Sequence, residues 1–170
     1  MKKILLFGSL FSVALVSCLE ENNLPDTPAI TFNRIDNFTD SINLVINFQD
    51  GDGNFGLEQG DTSGIFDDCL RYYNLYCIYQ EKQNGVWVDN GNAAPGQLDP
   101  CVNEDAVPFY YRIPWAKPTG QDQTQDGTIT INMNTYYLPS TFDTCRFRVK
   151  IVDRDLQESN EIFTAEFYKP

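Results

Sequence analysis

Residues 42–56, INLVINFQDGDGNFG, carry an alternation of apolar and polar side chains straight into a run of glycines and acids. Ile42, Leu44, Ile46 and Phe48 fall on one face of an extended chain and Asn43, Asn47 and Gln49 on the other, with Val45 the apolar exception. A period of two is the mark of a strand with one buried face. The same period recurs downstream. Residues 75–81 and 86–89 flank Asn84-Gly85, the dipeptide best suited to a type I′ hairpin turn. Ile129, Ile131 and Met133 alternate with Thr128, Thr130 and Asn132, and Cys145, Phe147, Val149 and Ile151 alternate with Arg146, Arg148 and Lys150. Phe163, Ala165 and Phe167 share a face of a last strand, and Ile30 and Phe32 start a first one. No long window has helical spacing. Seven short strands with long loops predict an all-β domain, an immunoglobulin-like antiparallel β-sandwich, with a closed barrel as the alternative.

The amino-terminal segment has a different composition. Lys2 and Lys3 precede an apolar run over residues 4–16, too short for a mature membrane span, so residues 1–17 read as a secretory signal peptide. The run ends in Leu15-Val16-Ser17-Cys18, which resembles a bacterial lipobox; the resemblance implies cleavage before Cys18 and acylation of that cysteine. More than one acyl chain anchors stably where a single chain is marginal. Residues 18–28 are then the lipidated cysteine and a polar tether of roughly 30 Å at full stretch, and residues 29–170 are the sandwich domain.

The chain holds 12 basic residues, 24 acidic ones and no histidine. Lys2 and Lys3 leave with the leader, so the mature net charge is −14. Nucleic acid is excluded as a partner, and anionic headgroups repel the domain, which leaves the acyl chains as the membrane attachment. Cys69, Cys77, Cys101 and Cys145 remain for two disulfides in an oxidising compartment. Of the three pairings we expect Cys69 with Cys101 and Cys77 with Cys145; a zinc site lacks both CxxC spacing and histidine. No cysteine lies on the strand at 42–48, so the usual inter-sheet disulfide of immunoglobulin domains is absent.

In an immunoglobulin-like strand order, the strands at 42–50 and 145–151 run the same way, and the loops that follow them meet at one pole. One loop opens with Asp50, Asp52 and Asn54, the other with Asp153 and Asp155. Converging carboxylates repel by about 1 kcal/mol per close pair in water and more where solvent is excluded. Ca²⁺, which accepts six to eight oxygens in flexible geometry, would compensate. The stretch is no EF-hand, because Phe55 stands where that loop demands glycine and Asp61 replaces its bidentate glutamate. The alternative is a well-solvated turn of glycines and aspartates, with Arg154 or another basic side chain neutralising the pole.

The lipobox, FQDGDGNFGL at 48–57, YYRIPW at 110–115, DGTITINM at 126–133 and RFRVKIVDRDLQESNEI at 146–162 together resemble small lipoproteins of Bacteroidota. That group has an immunoglobulin-like sandwich and a DGDG-type turn but no settled activity to carry over. Asn54 stands where the group more often has an acid. Glu20-Glu21 is similar to the signals that export such lipoproteins, which implies the outer membrane, the cell surface being favoured over the periplasmic face.

Without histidine, a serine or cysteine nucleophile lacks its usual base, and no carboxylate pair is picked out by its context; the chain reads as a non-enzyme. Tyr72, Tyr73, Tyr76, Tyr79, Tyr110, Tyr111, Tyr136 and Tyr137 divide between core and surface, with Trp87 and Trp115 the candidates for binding. The strand at 75–81 is apolar on both faces, as suits a central strand or one that meets a partner. Arg146, Arg148 and Lys150 form a basic stripe, for which Glu166 is a candidate partner. Asp40-Ser41-Ile42 resembles the O-glycosylation sequence of Bacteroidota, with Ser41 as acceptor. These features predict a binding or accessory module, a subunit of an outer-membrane protein assembly for uptake or secretion; the alternative is a surface glycan-binding module.

Overall fold

The computed structural model describes residues 24–90, 98–103, 109–119, 122–134 and 136–170. The leader, Cys18, Glu20-Glu21 and the tether up to residue 23 lie outside the described residues. The strands are β1 (Ala29–Asn37), β2 (Ile42–Asp50), β3 (Leu75–Gln83), β4 (Val86–Asp89), β5 (Tyr110–Tyr111), β6 (Gln125–Met133), β7 (Thr144–Ile151), β8 (Ile162–Phe163) and β9 (Phe167–Tyr168). One sheet has the order β1-β2-β6; the other has β4-β3-β7-β8, with β5 beside β3 and β9 beside β7. All strand pairs are antiparallel. The two sheets pack as an all-β sandwich, as the period of two predicts.

The inward residues of the two sheets meet in one core. Ile42, Leu44 and Ile46 of β2 and Ile129, Ile131 and Met133 of β6 face Leu75, Cys77 and Tyr79 of β3 and Phe147, Val149 and Ile151 of β7. The hairpin β3–β4 turns at Asn84 (φ 52°) and Gly85 (φ 84°), positive at both positions as a type I′ turn requires.

Nine strands, not seven, appear among the described residues, because β5 is added and the last strand is split. Phe163 pairs with Arg148 and Phe167 with Cys145, so four steps on one strand oppose three on the other. This extra residue is a bulge, and it sends Phe163 outward at 47% exposure while Phe167 goes inward at 2%. The Thr164 hydroxyl fills the break by accepting from the Phe147 amide at 3.0 Å.

Cys69 and Cys101 form the expected disulfide. Cys77 and Cys145 do not; both are free, buried thiols. They lie on neighbouring strands, but Cys77 is opposite Val149 and Cys145 is opposite Glu81, four residues out of register. At about 3.4 Å per residue, that offset is far beyond the reach of a disulfide.

Candidate functional site

β2 and β7 do run the same way, and the loops after them meet. Asn54 donates from its amide nitrogen to Asp52 Oδ2 at 2.8 Å and, across to the second loop, to Asp155 Oδ2 at 3.1 Å. Gly53 takes φ +69°, and a side chain there would sit 1.7 Å from the Gln123 carbonyl; Gly56 takes φ +113° and lies against the Trp115 backbone. The glycines therefore serve backbone curvature and close approach. Phe55 between them is a core residue at 3% exposure, its ring 5.2 Å from Phe48.

Two of the acids are deeply placed. Asp50, at the end of β2, is 0% exposed, and Asp153, just past β7, is 2% exposed. Asp50 Oδ2 accepts from the Phe55 amide at 2.9 Å and Asp153 Oδ1 from the Gln157 amide at 2.8 Å. Burial pushes the Asp50 carboxyl up to about 6; the Phe55 amide opposes that shift, and the charges of Asp52 and Asp153 add to it. Asp153 is raised for the same first reason, with Asp52 and Asp155 adding to it.

The other oxygens of these side chains have no donor. Among the described residues, the buried side-chain oxygens without a hydrogen-bond partner are Asp50 Oδ1, Asn54 Oδ1, Gln125 Oε1 and Asp153 Oδ2. All four lie at this pole, since Gln125 is directly opposite Asp50 in the β2–β6 ladder. Buried polar atoms in native folds are almost always satisfied, so four orphans in one place mark a feature of the site.

Arg154 does not neutralise them. Its guanidinium binds the Asp61 carboxylate, with the second contact at 3.3 Å, and lies 4.6 Å from the Trp115 ring. Asp61 also accepts from the Glu58 amide at 2.7 Å, so the residue standing at the last EF-hand position is occupied elsewhere. Asp68, Cys69 and Cys101 do bring ligand atoms within 4.8 Å of one another, but the two sulfurs are joined in the disulfide and are no metal ligands. No three carboxylates of the pole are gathered that closely.

The remaining candidates are dispersed. Trp115 belongs to the pole, donating from Nε1 to the Gly53 carbonyl at 2.9 Å. Trp87 is on β4, with the Arg146 guanidinium 4.2 Å above its ring. Ser41 sits partly exposed in the β1–β2 turn. Within the basic stripe, Arg148 pairs with Asp89 at 2.8 Å and Glu161 at 2.6 Å, and Lys150 with Glu158 at 2.7 Å. Glu166 instead pairs with Lys82 at 3.0 Å.

The outer face of the β3–β7 sheet carries a groove of about 510 Å³, lined by Tyr76, Ile78, Tyr110, Arg148, Lys150 and Leu156 among others. The Tyr76 and Tyr110 rings meet edge to face at 5.1 Å, and the single Tyr76 hydroxyl proton is offered to the Tyr73 carbonyl at 2.7 Å, with the Leu70 carbonyl also in reach at 2.9 Å. The sequence signal for this groove was the apolar outer face of β3.

Sequence reasoning missed a second buried charge. Glu81 is 0% exposed and accepts from Lys169 at 2.6 Å, Ser140 at 2.7 Å and Tyr79 at 3.0 Å. The strand period did contain the signal, because Glu81 is in phase with Leu75, Cys77 and Tyr79.

Comparison with known protein families, curated proteins and solved structures finds no match to this chain.

Proposed function

We propose that this chain is a lipid-anchored binding module of the outer membrane, an accessory subunit that docks a protein of an uptake or secretion assembly through the outer face of its β3–β7 sheet. The groove on that face is the observation that supports the reading most. Tyr76, Tyr110, Ile78 and Leu156 supply apolar and aromatic area, and Arg148 supplies a guanidinium, the residue mix that protein interfaces favour. The Arg148 and Lys150 ion pairs fix the charged rim before any partner arrives. Pre-ordering of this kind lowers the entropy that binding must overcome.

The buried acids argue for a non-catalytic role. Asp50 has the raised proton affinity that an acid–base residue needs, but at 0% exposure it offers its proton to no substrate. The lipobox at Leu15-Val16-Ser17-Cys18 and the Glu20-Glu21 pair support anchoring at the outer membrane, facing the surface.

A glycan is the second reading, favoured by two tyrosine rings that flank a groove also lined by Glu158 and Glu161. One experiment separates the two. The full chain and an Ile78→Asp variant are purified by affinity from detergent-solubilised membranes, and both are applied to a glycan array. We expect a stoichiometric membrane protein with the wild type that is lost in the variant at unchanged thermal stability. A glycan signal without a protein partner would replace the reading, and a partner that survives the substitution would move the interface off this face.

A further inference from the structure

We propose that the pole where the β2–β3 loop meets the β7–β8 turn is a calcium site, in which Asp50, Asn54 and Asp153 supply the inner oxygens and Asp52 and Asp155 the outer ones. The orphaned atoms mark this site more sharply than its acidity does. Asp50 and Asp153 each have one oxygen tied to a backbone amide and one with no donor, and both side chains are more than nine-tenths buried. A buried carboxylate oxygen in that condition is protonated, hydrated or bound to a cation.

Asn54 discriminates among these. Its amide nitrogen faces the outer carboxylates of Asp52 and Asp155, which leaves Oδ1 as a third buried, unpartnered oxygen beside the two inner acids. Gln125 Oε1, opposite Asp50 in the ladder, is a fourth. Protonating one acid satisfies at most one acceptor, and a single water has only two O–H donors for the four oxygens. A cation held by Asp50, Asn54 and Asp153 satisfies three of them together, and it also offsets the four carboxylates.

The donor set selects the ion. Every candidate ligand is an oxygen, from carboxylates or amides, with neither thiolate nor imidazole, so the site suits a hard cation. Its members come from a glycine-rich loop, a strand end and a second turn, an irregular arrangement that fits the variable geometry of Ca²⁺ better than the strict octahedron of Mg²⁺. Asp52 is partly buried and Asp155 exposed, and the Asn54 side-chain amide holds both at the outer side of the site. The guanidinium of the turn itself, Arg154, is engaged by Asp61 and does not compete. Binding would join the loop after β2 to the turn after β7, which also contributes Val152, Leu156 and Glu158 to the groove. The inference stands whether or not that groove takes a partner.

The test uses the detergent-solubilised full chain. Thermal unfolding is followed in EGTA and in 1 mM CaCl₂, and Tb³⁺ luminescence is excited through Trp115, whose ring is hydrogen-bonded to the same loop. For a dissociation constant near 0.1 mM, typical of extracellular modules, CaCl₂ should raise Tm by roughly 3–6 °C. Tb³⁺ emission should appear and be displaced by CaCl₂. Asp50→Asn keeps the side-chain shape and removes one repelling charge, so it should fold at least as stably in EGTA while losing both responses. Asp143→Asn, at the other end of β7, should keep both. Equal Tm in EGTA and CaCl₂ would overturn the proposal, as would a rise that MgCl₂ matches or that Asp50→Asn retains.

Discussion

Replacing Lys169 with methionine removes the only ammonium that the buried Glu81 touches among the described residues. The Lys169 side chain is 8% exposed and donates three hydrogen bonds, to Glu81 at 2.6 Å, to the Leu138 carbonyl at 2.8 Å and to Ser140 at 2.8 Å. Breaking one partner out of a buried pair costs about 3–5 kcal/mol. Ser140, Tyr79 and Gln83 still donate to Glu81, which places the expected loss near the lower end, about 3 kcal/mol. A domain of this size has roughly 7–20 kcal/mol in total, so the midpoint of urea unfolding should fall clearly at an unchanged slope. The double variant Lys169→Met with Glu81→Gln should recover much of that loss, because no charge is then left buried. The pH dependence has a definite sign. Burial by itself raises Glu81, but hydrogen bonds from Lys169, Ser140 and Tyr79 outweigh it and hold the carboxyl below its ordinary 4.5. A depressed folded-state value gives stability that is present above the unfolded value and lost as pH falls through the folded one. In Lys169→Met burial dominates and the sign reverses, so the stability gap between wild type and variant should narrow as pH drops from 7 toward 4. A loss below about 1 kcal/mol, or a gap that widens in acid, would refute the claim that an ionised pair is buried there.

The Cys69–Cys101 disulfide closes a loop with a sequence separation of 32 and should contribute about 3–4 kcal/mol, read as the fall in stability of a Cys69→Ser, Cys101→Ser variant. Cys77 and Cys145 should resist alkylation until the protein unfolds, since burial pushes both thiols up, and the native mass should be two hydrogens below the reduced chain; a second disulfide would contradict the strand register. Gly56→Ala should destabilise by at least about 2 kcal/mol, because its Cβ would lie 2.3 Å from Trp115 Cα at a φ of +113°; a neutral effect on thermal unfolding would show that the loop can move away.

Alternation alone was enough to identify β2, β6 and β7, because a strand between core and solvent must repeat every two residues, whereas β3, apolar on both faces, was marked by the Asn84-Gly85 turn that follows it. Given the sandwich, strand direction then brought Asp50 and Asp153 to one pole, although they are 103 residues apart in the chain. Phase was legible too: Glu81 stands among the inward residues of β3, and only the habit of placing charges outside hid it. What alternation cannot carry is register and pairing. It put Cys77 and Cys145 on inward faces of neighbouring strands but not four positions out of step, and it gave no sign of the bulge that sends Phe163 and Phe167 to opposite sides. Nor could it say that Arg154 would turn to Asp61 and leave the buried acids to themselves. Facing is set by the local geometry of one strand, whereas partnership is decided by which distant side chains the folded sheets bring within about 3 Å of each other.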